Sequence, residues 1–124
     1  MSVSQHLKYA DTHEWVNLEG NEATVGLSAH AVELLGDIVY LELPKLGDEL
    51  SQNAAIGVVE SVKAASDIYT PISGRVIAVN DALIADPSLL NQNCYTAWLY
   101  RLAVTIPAEL DTLMNAETYS AGIA

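Results

Sequence analysis

Residues 57–76 read "GVVESVKAASDIYTPISGRV", two alternating, β-branched runs separated by "KAAS". Apolar and polar side chains alternating with period two mark strands, and a lapse into small residues marks a chain reversal. A turn here puts Lys63 at or near its tip with the ammonium in water. Ser61, Val62, Ala64, Ala65 and Ser66 lay nothing bulky over it, and Glu60 and Asp67 stand just outside. Composition alone favours a plain reading, a solvated lysine closing a strand edge. The other reading is a lysine presented for acylation. Small flanks let a modifying enzyme close over the turn, flanking acids give it charges to read, and a hairpin pinned in a sheet is a stiff base for a long arm.

Outward from this hairpin the same short alternating runs continue, which points to a mainly β chain. "HEWVNL" (13–18) and "EATVGL" (22–27) flank "EGN", a hairpin turn; 37–43, 56–62, 67–70, 74–79 and 97–104 are further strands. In the last of these Trp98, Tyr100, Leu102 and Val104 fall on one face and Arg101 on the other. "GDIVYL" from Gly36 and "GRVIAV" from Gly74 form a short repeat, compatible with chance, on either side of the Lys63 segment. Helices are short. "SAHAVELLG" has Ser28 as N-cap and Gly36 as stop, and "DPSLL" allows one turn after Pro87. "IPAELDTLM" predicts a helix with Leu110, Leu113 and Met114 on one stripe, which "NAETYSAG" continues or restarts.

Composition narrows the function. The 124 residues suit one domain, 1–124, and 51% hydrophobic content supplies a core, largely aliphatic because there is no Phe. A formal charge of −11 opposes nucleic acid, whose binders neutralise phosphates with Lys and Arg, and opposes anionic membranes. Basic patches on protein partners suit it better. Cys94 is the only cysteine, so no internal disulfide or cysteine metal cluster forms, and a small buried thiol in a reducing compartment is expected. The opening "MSVSQHLKYADTHEW" shows neither signal nor transit character and no run reaches membrane-spanning length, so the expected location is the cytoplasm. His6, His13 and His30 are scattered, without metal-ligand spacing, a nucleophile elbow or a phosphate-cradling glycine loop, which argues against an independent enzyme.

"ESVKAASDIYTPISG" resembles the lipoyl-attachment segment of the glycine cleavage H-protein family, with Lys63 in the modified position. "LKYADTHEWV" is similar to the family's opening block, and "ATVGLSAHAVELLGDIVYLELPKLGDEL" to the next. "VNDALIADPSLLN" and "PAELDTLMNAETY" resemble later ones, so the likeness runs over about residues 7–119 in order. One block departs: the family's glycine-containing loop before the last strand is here "NCYTAW" (93–98), shorter, without glycine, and with Cys94 where proline is common.

The resemblance implies a hammerhead-like, barrel-sandwich lipoyl domain with short peripheral helices, a C-terminal helix and a lysine hairpin over about 56–79. Lys63 would carry lipoate in amide linkage, attached by a lipoate–protein ligase or a lipoyl/octanoyl transferase that reads Glu60, Ser61, Val62, Ala64 and Asp67. It implies three further partners: a pyridoxal-phosphate glycine decarboxylase, a tetrahydrofolate-dependent aminomethyltransferase, and dihydrolipoyl dehydrogenase. The protein would be a non-catalytic, monomeric shuttle that binds no metal. A loaded arm needs shelter from water; "HEW" (13–15) and the helix at 28–35 are the candidate walls, and Glu14 and His30 the candidate polar contacts. Trp15 and Trp98 suit packing better than ligand stacking. The alternative is a lipoyl carrier or lipoate relay for another pathway, such as an H-like protein of sulfur oxidation. A biotin carrier would place methionines beside the lysine, where Val62 and Ala64 stand.

Overall fold

The computed structural model describes residues 7–123. His6 and the rest of the stretch 1–6, on which the reading of the opening as leaderless largely rests, lie outside those residues. Among the described residues nine strands form two antiparallel sheets. One has six strands in the order β1-β2-β3-β9-β8-β5 and the other three in the order β4-β6-β7. The strands are β1 Lys8–Tyr9, β2 Glu14–Glu19, β3 Glu22–Leu27, β4 Ile38–Glu42, β5 Glu49–Leu50, β6 Ala55–Ser61, β7 Ala65–Tyr69, β8 Gly74–Val79 and β9 Tyr100–Val104. The helices are α1 Ala29–Leu35, α2 Asp81–Ala85, α3 Leu89–Gln92 and α4 Ala116–Ile123, with a 3-10 helix at Pro107–Thr112. This is the mainly β architecture with a C-terminal helix that the sequence predicts.

The β2–β3 hairpin closes through Gly20 and Asn21, Gly20 taking the left-handed φ of +63° such a tight turn needs. Ser28 caps α1 by accepting from the Ala31 N–H at 3.2 Å, and Gly36 ends it at φ +81°. Between the sheets lies an aliphatic core that includes Val25, Ile68, Ile72, Leu83, Leu99 and Leu102, all fully buried. Each such side chain contributes about 2 kcal/mol of burial. A smaller cluster under α4 joins Leu7, Tyr9, Trp15, Ala116 and Tyr119.

Three expectations need correction. The lysine hairpin ends at Tyr69, because 74–79 crosses to the other sheet, where Gly74 and Arg75 pair with β5 and β9. The helix expected through Met114 stops earlier: Met114 and Tyr9 exchange backbone hydrogen bonds at 2.8 Å, and that β pairing pulls 114 out of helical geometry. Asn115 then restarts the chain as α4, its side chain accepting from Thr118 N–H. Finally, the face alternation of 97–104 holds only from Tyr100. Leu99 is fully buried, whereas Trp98 is half-buried under the Arg101 guanidinium at 4.4 Å. α2 has no counterpart in the sequence reading, its five residues being too few to show helical periodicity.

Candidate functional site

Lys63 occupies the three-residue reversal between β6 and β7. Ser61 fixes the turn: its N–H donates to Ala64 O at 2.7 Å and its Oγ accepts from the N–H groups of Lys63 (3.3 Å) and Ala64 (3.1 Å). The Val62 N–H donates to Asp37 O at 3.1 Å, tying the tip to the start of β4. These bonds make the reversal rigid, while the Lys63 side chain remains exposed. Among the described residues no carboxylate pairs with its ammonium. The chain passes over Gly36, where a Cβ would lie 3.5 Å from Lys63 Cε and 4.0 Å from Nζ.

The other residues proposed around the lysine divide. Val62 is 69% exposed and Ala64 is open to solvent. Glu60 is half-buried, opposite Ala65 on β7 and Tyr40 on β4. Ser61 is buried, and its hydroxyl accepts from the turn's own N–H groups. Asp67 is exposed and turns to a neighbouring cleft.

That cleft, about 200 Å³, opens beside the hairpin between the start of β2, α1 and the β6–β7 strands. Glu14 and Asp67 are among its lining residues, and Ala31, Leu34 and Leu35 form its helical wall. Glu14 is not a solvated strand-start acid: it is 1% exposed. His13 holds a left-handed φ of +76°, uncommon for a residue with a Cβ, and turns the chain immediately before Glu14. Thr12 Oγ1 donates to Glu14 Oε1, and the Tyr69 N–H approaches Oε2 at 3.4 Å. Burial dominates over these bonds and pushes the carboxyl up to about 7 from its ordinary 4.5. A carboxyl so poised ionises readily when a cation arrives.

Of "HEW", only His13 and Glu14 line the cleft. Trp15, one residue on, points from the opposite face of β2 into the cluster under α4, and its Nε1–H donates to Cys94 O at 3.2 Å. His30 is not among the lining residues; its ring lies 4.9 Å from that of His13, which is.

Sequence reasoning missed the support behind these walls. The Tyr119 hydroxyl sits 2.7 Å from His13 Nδ1 and 2.7 Å from Ser28 Oγ, so one α4 side chain holds both β2 and the N-cap of α1. Burial and the neighbouring His30 lower the His13 pKa, favouring the neutral ring, and burial raises that of Tyr119. With neutral His13, Ser28 donates to Tyr119 and Tyr119 to Nδ1, which leaves Ser28 Oγ to accept from Ala31. No sequence signal marks Tyr119, since the pairing spans 106 residues.

In the departing loop, Asn93 Oδ1 accepts from the Tyr95 and Thr96 N–H groups at 3.0 and 3.3 Å, building the turn that glycine would otherwise permit. Cys94 is 2% exposed, and burial pushes its thiol up to about 11. No group of metal-binding side chains, and no helix long and apolar enough to cross a membrane, occurs among the described residues.

Comparison with known proteins gives a consistent result. The family model described as Glycine cleavage H-protein matches residues 7–124. A glycine cleavage system H protein of Methylacidiphilum infernorum is 52% identical over 120 residues, covering 96% of this chain and 94% of its own. One from Photorhabdus laumondii is 52% identical over 122 residues, covering 97% and 94%. The crystal structure of a glycine cleavage system H protein from Mycobacterium marinum superposes with a TM-score of 0.89 at 33% identity, covering 97% of this chain and 98% of that one.

Proposed function

This chain belongs to the glycine cleavage H-protein family, and from that premise we propose that Lys63 is the residue that carries the lipoyl group, in amide linkage. The protein is a lipoyl-carrying component of the glycine cleavage system, working with the decarboxylase, the aminomethyltransferase and the dihydrolipoyl dehydrogenase. The observation that carries the assignment is an exposed, unpaired amine on a hydrogen-bonded turn, beside a cleft that holds a buried carboxyl. Lys8 and Lys45 are the only other lysines, and Lys45 sits in an ordinary turn where its N–H donates to Asp48 Oδ2.

The residues present fit the group. Gly36 puts no side chain against the amine, and acylation leaves no buried partner charge behind, because no carboxylate among the described residues pairs with Lys63. When bound, the group supplies a reducible ring disulfide, which accepts the aminomethyl unit and two electrons. The chain's own part is mechanical and electrostatic. Ser61 and Asp37 hold the arm's root still. Glu14, ionising as it pairs, takes the cargo's amine by a charge-assisted hydrogen bond, with Asp67 across the cleft. Leu34, Leu35 and Val59 exclude water from the parked arm. His30, outside the lining, acts only through His13.

Glu60, Val62, Ala64 and Asp67 form the patch read by a lipoate–protein ligase or lipoyl/octanoyl transferase. The protein acts as a monomer in a reducing cytoplasm and turns over nothing alone. The test is intact-mass and peptide-level measurement after incubation with lipoate–protein ligase, lipoate and ATP. A lipoyl increment on Lys63, with glycine–bicarbonate exchange on adding decarboxylase, is the expected result. An increment elsewhere, or no exchange, overturns the assignment.

A further inference from the structure

The outer face of the three-stranded sheet carries an anomaly. Ile38 pairs with Ser61 and Tyr40 with Glu60, so two steps along β4 match one along β6 and Val39 is an extra residue, a β-bulge. Unbulged alternation from buried Ile38 would turn Val39 out and Tyr40 in. The bulge instead sends both outward, 54% and 46% exposed, and returns Leu41 to the core at 2%. Apart from a 3.5 Å bond from Tyr40 Oη to Glu42 Oε2, exposing these two adjacent large apolar side chains gains nothing among the described residues. Bulges that re-aim side chains in this way concentrate beside functional sites.

The position of the pair shows what it faces. Tyr40 lies opposite Glu60, and Val62 stands two residues from Glu60 on the same side; Val62 is also bonded to Asp37, next to the bulge. Val39, Tyr40 and Val62 thus make one apolar step at the foot of Lys63. Asp37, Glu42 and Glu60 border it, beside Lys63. Apolar centre with acidic rim is the complement of an apolar pocket bordered by Arg and Lys.

We propose that this bulge step is the docking surface for the enzyme that acylates Lys63, which meets it with an apolar pocket rimmed by basic side chains. The inference rests on Lys63 being the attachment site. That enzyme must bring its reactive centre to the amine of an unextended side chain, so it has to cover the surface around the turn. The other partners meet the far end of a long arm and need no such closeness.

The test is the kinetics of lipoyl transfer to the full chain by purified lipoate–protein ligase, followed by intact mass. A Val39→Ser/Tyr40→Ser variant should raise KM about tenfold with kcat unchanged, as truncating a buried contact pair does. Glu42→Gln, which removes a rim charge but can still accept from Tyr40 Oη, should raise KM by a smaller factor and reduce its dependence on salt. Leu46→Ser, equally apolar and 68% exposed but beyond the opposite end of β4, should change nothing. Unchanged KM in the double variant with native circular dichroism, or a loss confined to kcat, overturns the proposal. Failure of the unmutated chain to gain a lipoyl group at Lys63 would instead sink the attachment-site assignment.

Discussion

The Tyr119 hydroxyl stands 2.7 Å from His13 Nδ1, and through that contact the last helix holds the strand on which the cleft begins. The same oxygen meets Ser28 Oγ, and the Tyr119 ring stacks on Tyr9 at 4.4 Å with the planes 5° apart. Tyr119→Phe keeps the stack and deletes only the hydroxyl. It leaves His13 Nδ1 and Ser28 Oγ without that partner, at a cost of about 1–3 kcal/mol. The melting temperature should fall by roughly 4–12 °C, and hydrogen exchange should quicken in α1 and α4 together. Faster exchange in α4 alone would show that the hydroxyl does not couple the walls.

Glu14 predicts an unusual pH dependence. Folding raises its pKa from 4.5 to about 7, so the folded chain binds this proton more tightly than the unfolded one. The contribution is fully present below about 4.5 and is lost as pH rises through 7. Glu14→Gln, which cannot ionise, should therefore match the parent near pH 4 and exceed it at pH 8 by about 2–3 kcal/mol. Urea unfolding at the two pH values measures the difference. A variant less stable than the parent at pH 8 would mean the carboxylate is better solvated than its burial implies.

The same residue should govern cargo lifetime. Glu14→Ala is expected to leave lipoylation intact and to speed loss of the aminomethyl group several-fold, in line with one charge-assisted hydrogen bond. Release of ammonia and formaldehyde from loaded protein reports it. An unchanged rate removes Glu14 from the site.

Lys63→Arg preserves charge and exposure but offers no amine for amide formation. Mass spectrometry after ligase treatment should show no lipoyl increment. If the increment persists, Lys8 or Lys45 is the acceptor.

Gly57 tests the sheet beneath the hairpin. A Cβ there would fall 2.1 Å from Glu42 O, a backbone atom that cannot move without breaking the β4–β6 pairing. Gly57→Ala should cost more than about 2 kcal/mol. Gly122 in α4 has open space and ordinary helical geometry, so Gly122→Ala should gain roughly 0.5 kcal/mol. Equal effects at the two sites would contradict the close approach at Gly57.

What could be read from the residues was whatever the neighbouring chain decides. Alternation placed the strands around Lys63, and Ser28 and Gly36 bounded α1, because a cap is a local hydrogen bond and a local φ. What escaped was non-local. Met114 leaves its helix to pair with Tyr9, and the bulge at Val39 reverses the face of Tyr40 without any glycine or proline to announce it. The burial of Glu14 escaped for the same reason, since the walls around it come from α1, β6 and β7. The resemblance named Glu14, but only the packing gives that carboxyl its poise.

The seclusion of Cys94 has a chemical consequence for the arm. A strained cyclic disulfide on a swinging tether is open to attack by any thiolate it can touch. The thiol of Cys94 is 2% exposed with its pKa near 11. Burial therefore keeps the sulfur almost wholly in its thiol form at neutral pH, whereas the thiolate is the attacking species. The chain thus holds no nucleophile of its own that could trap the ring as a mixed disulfide.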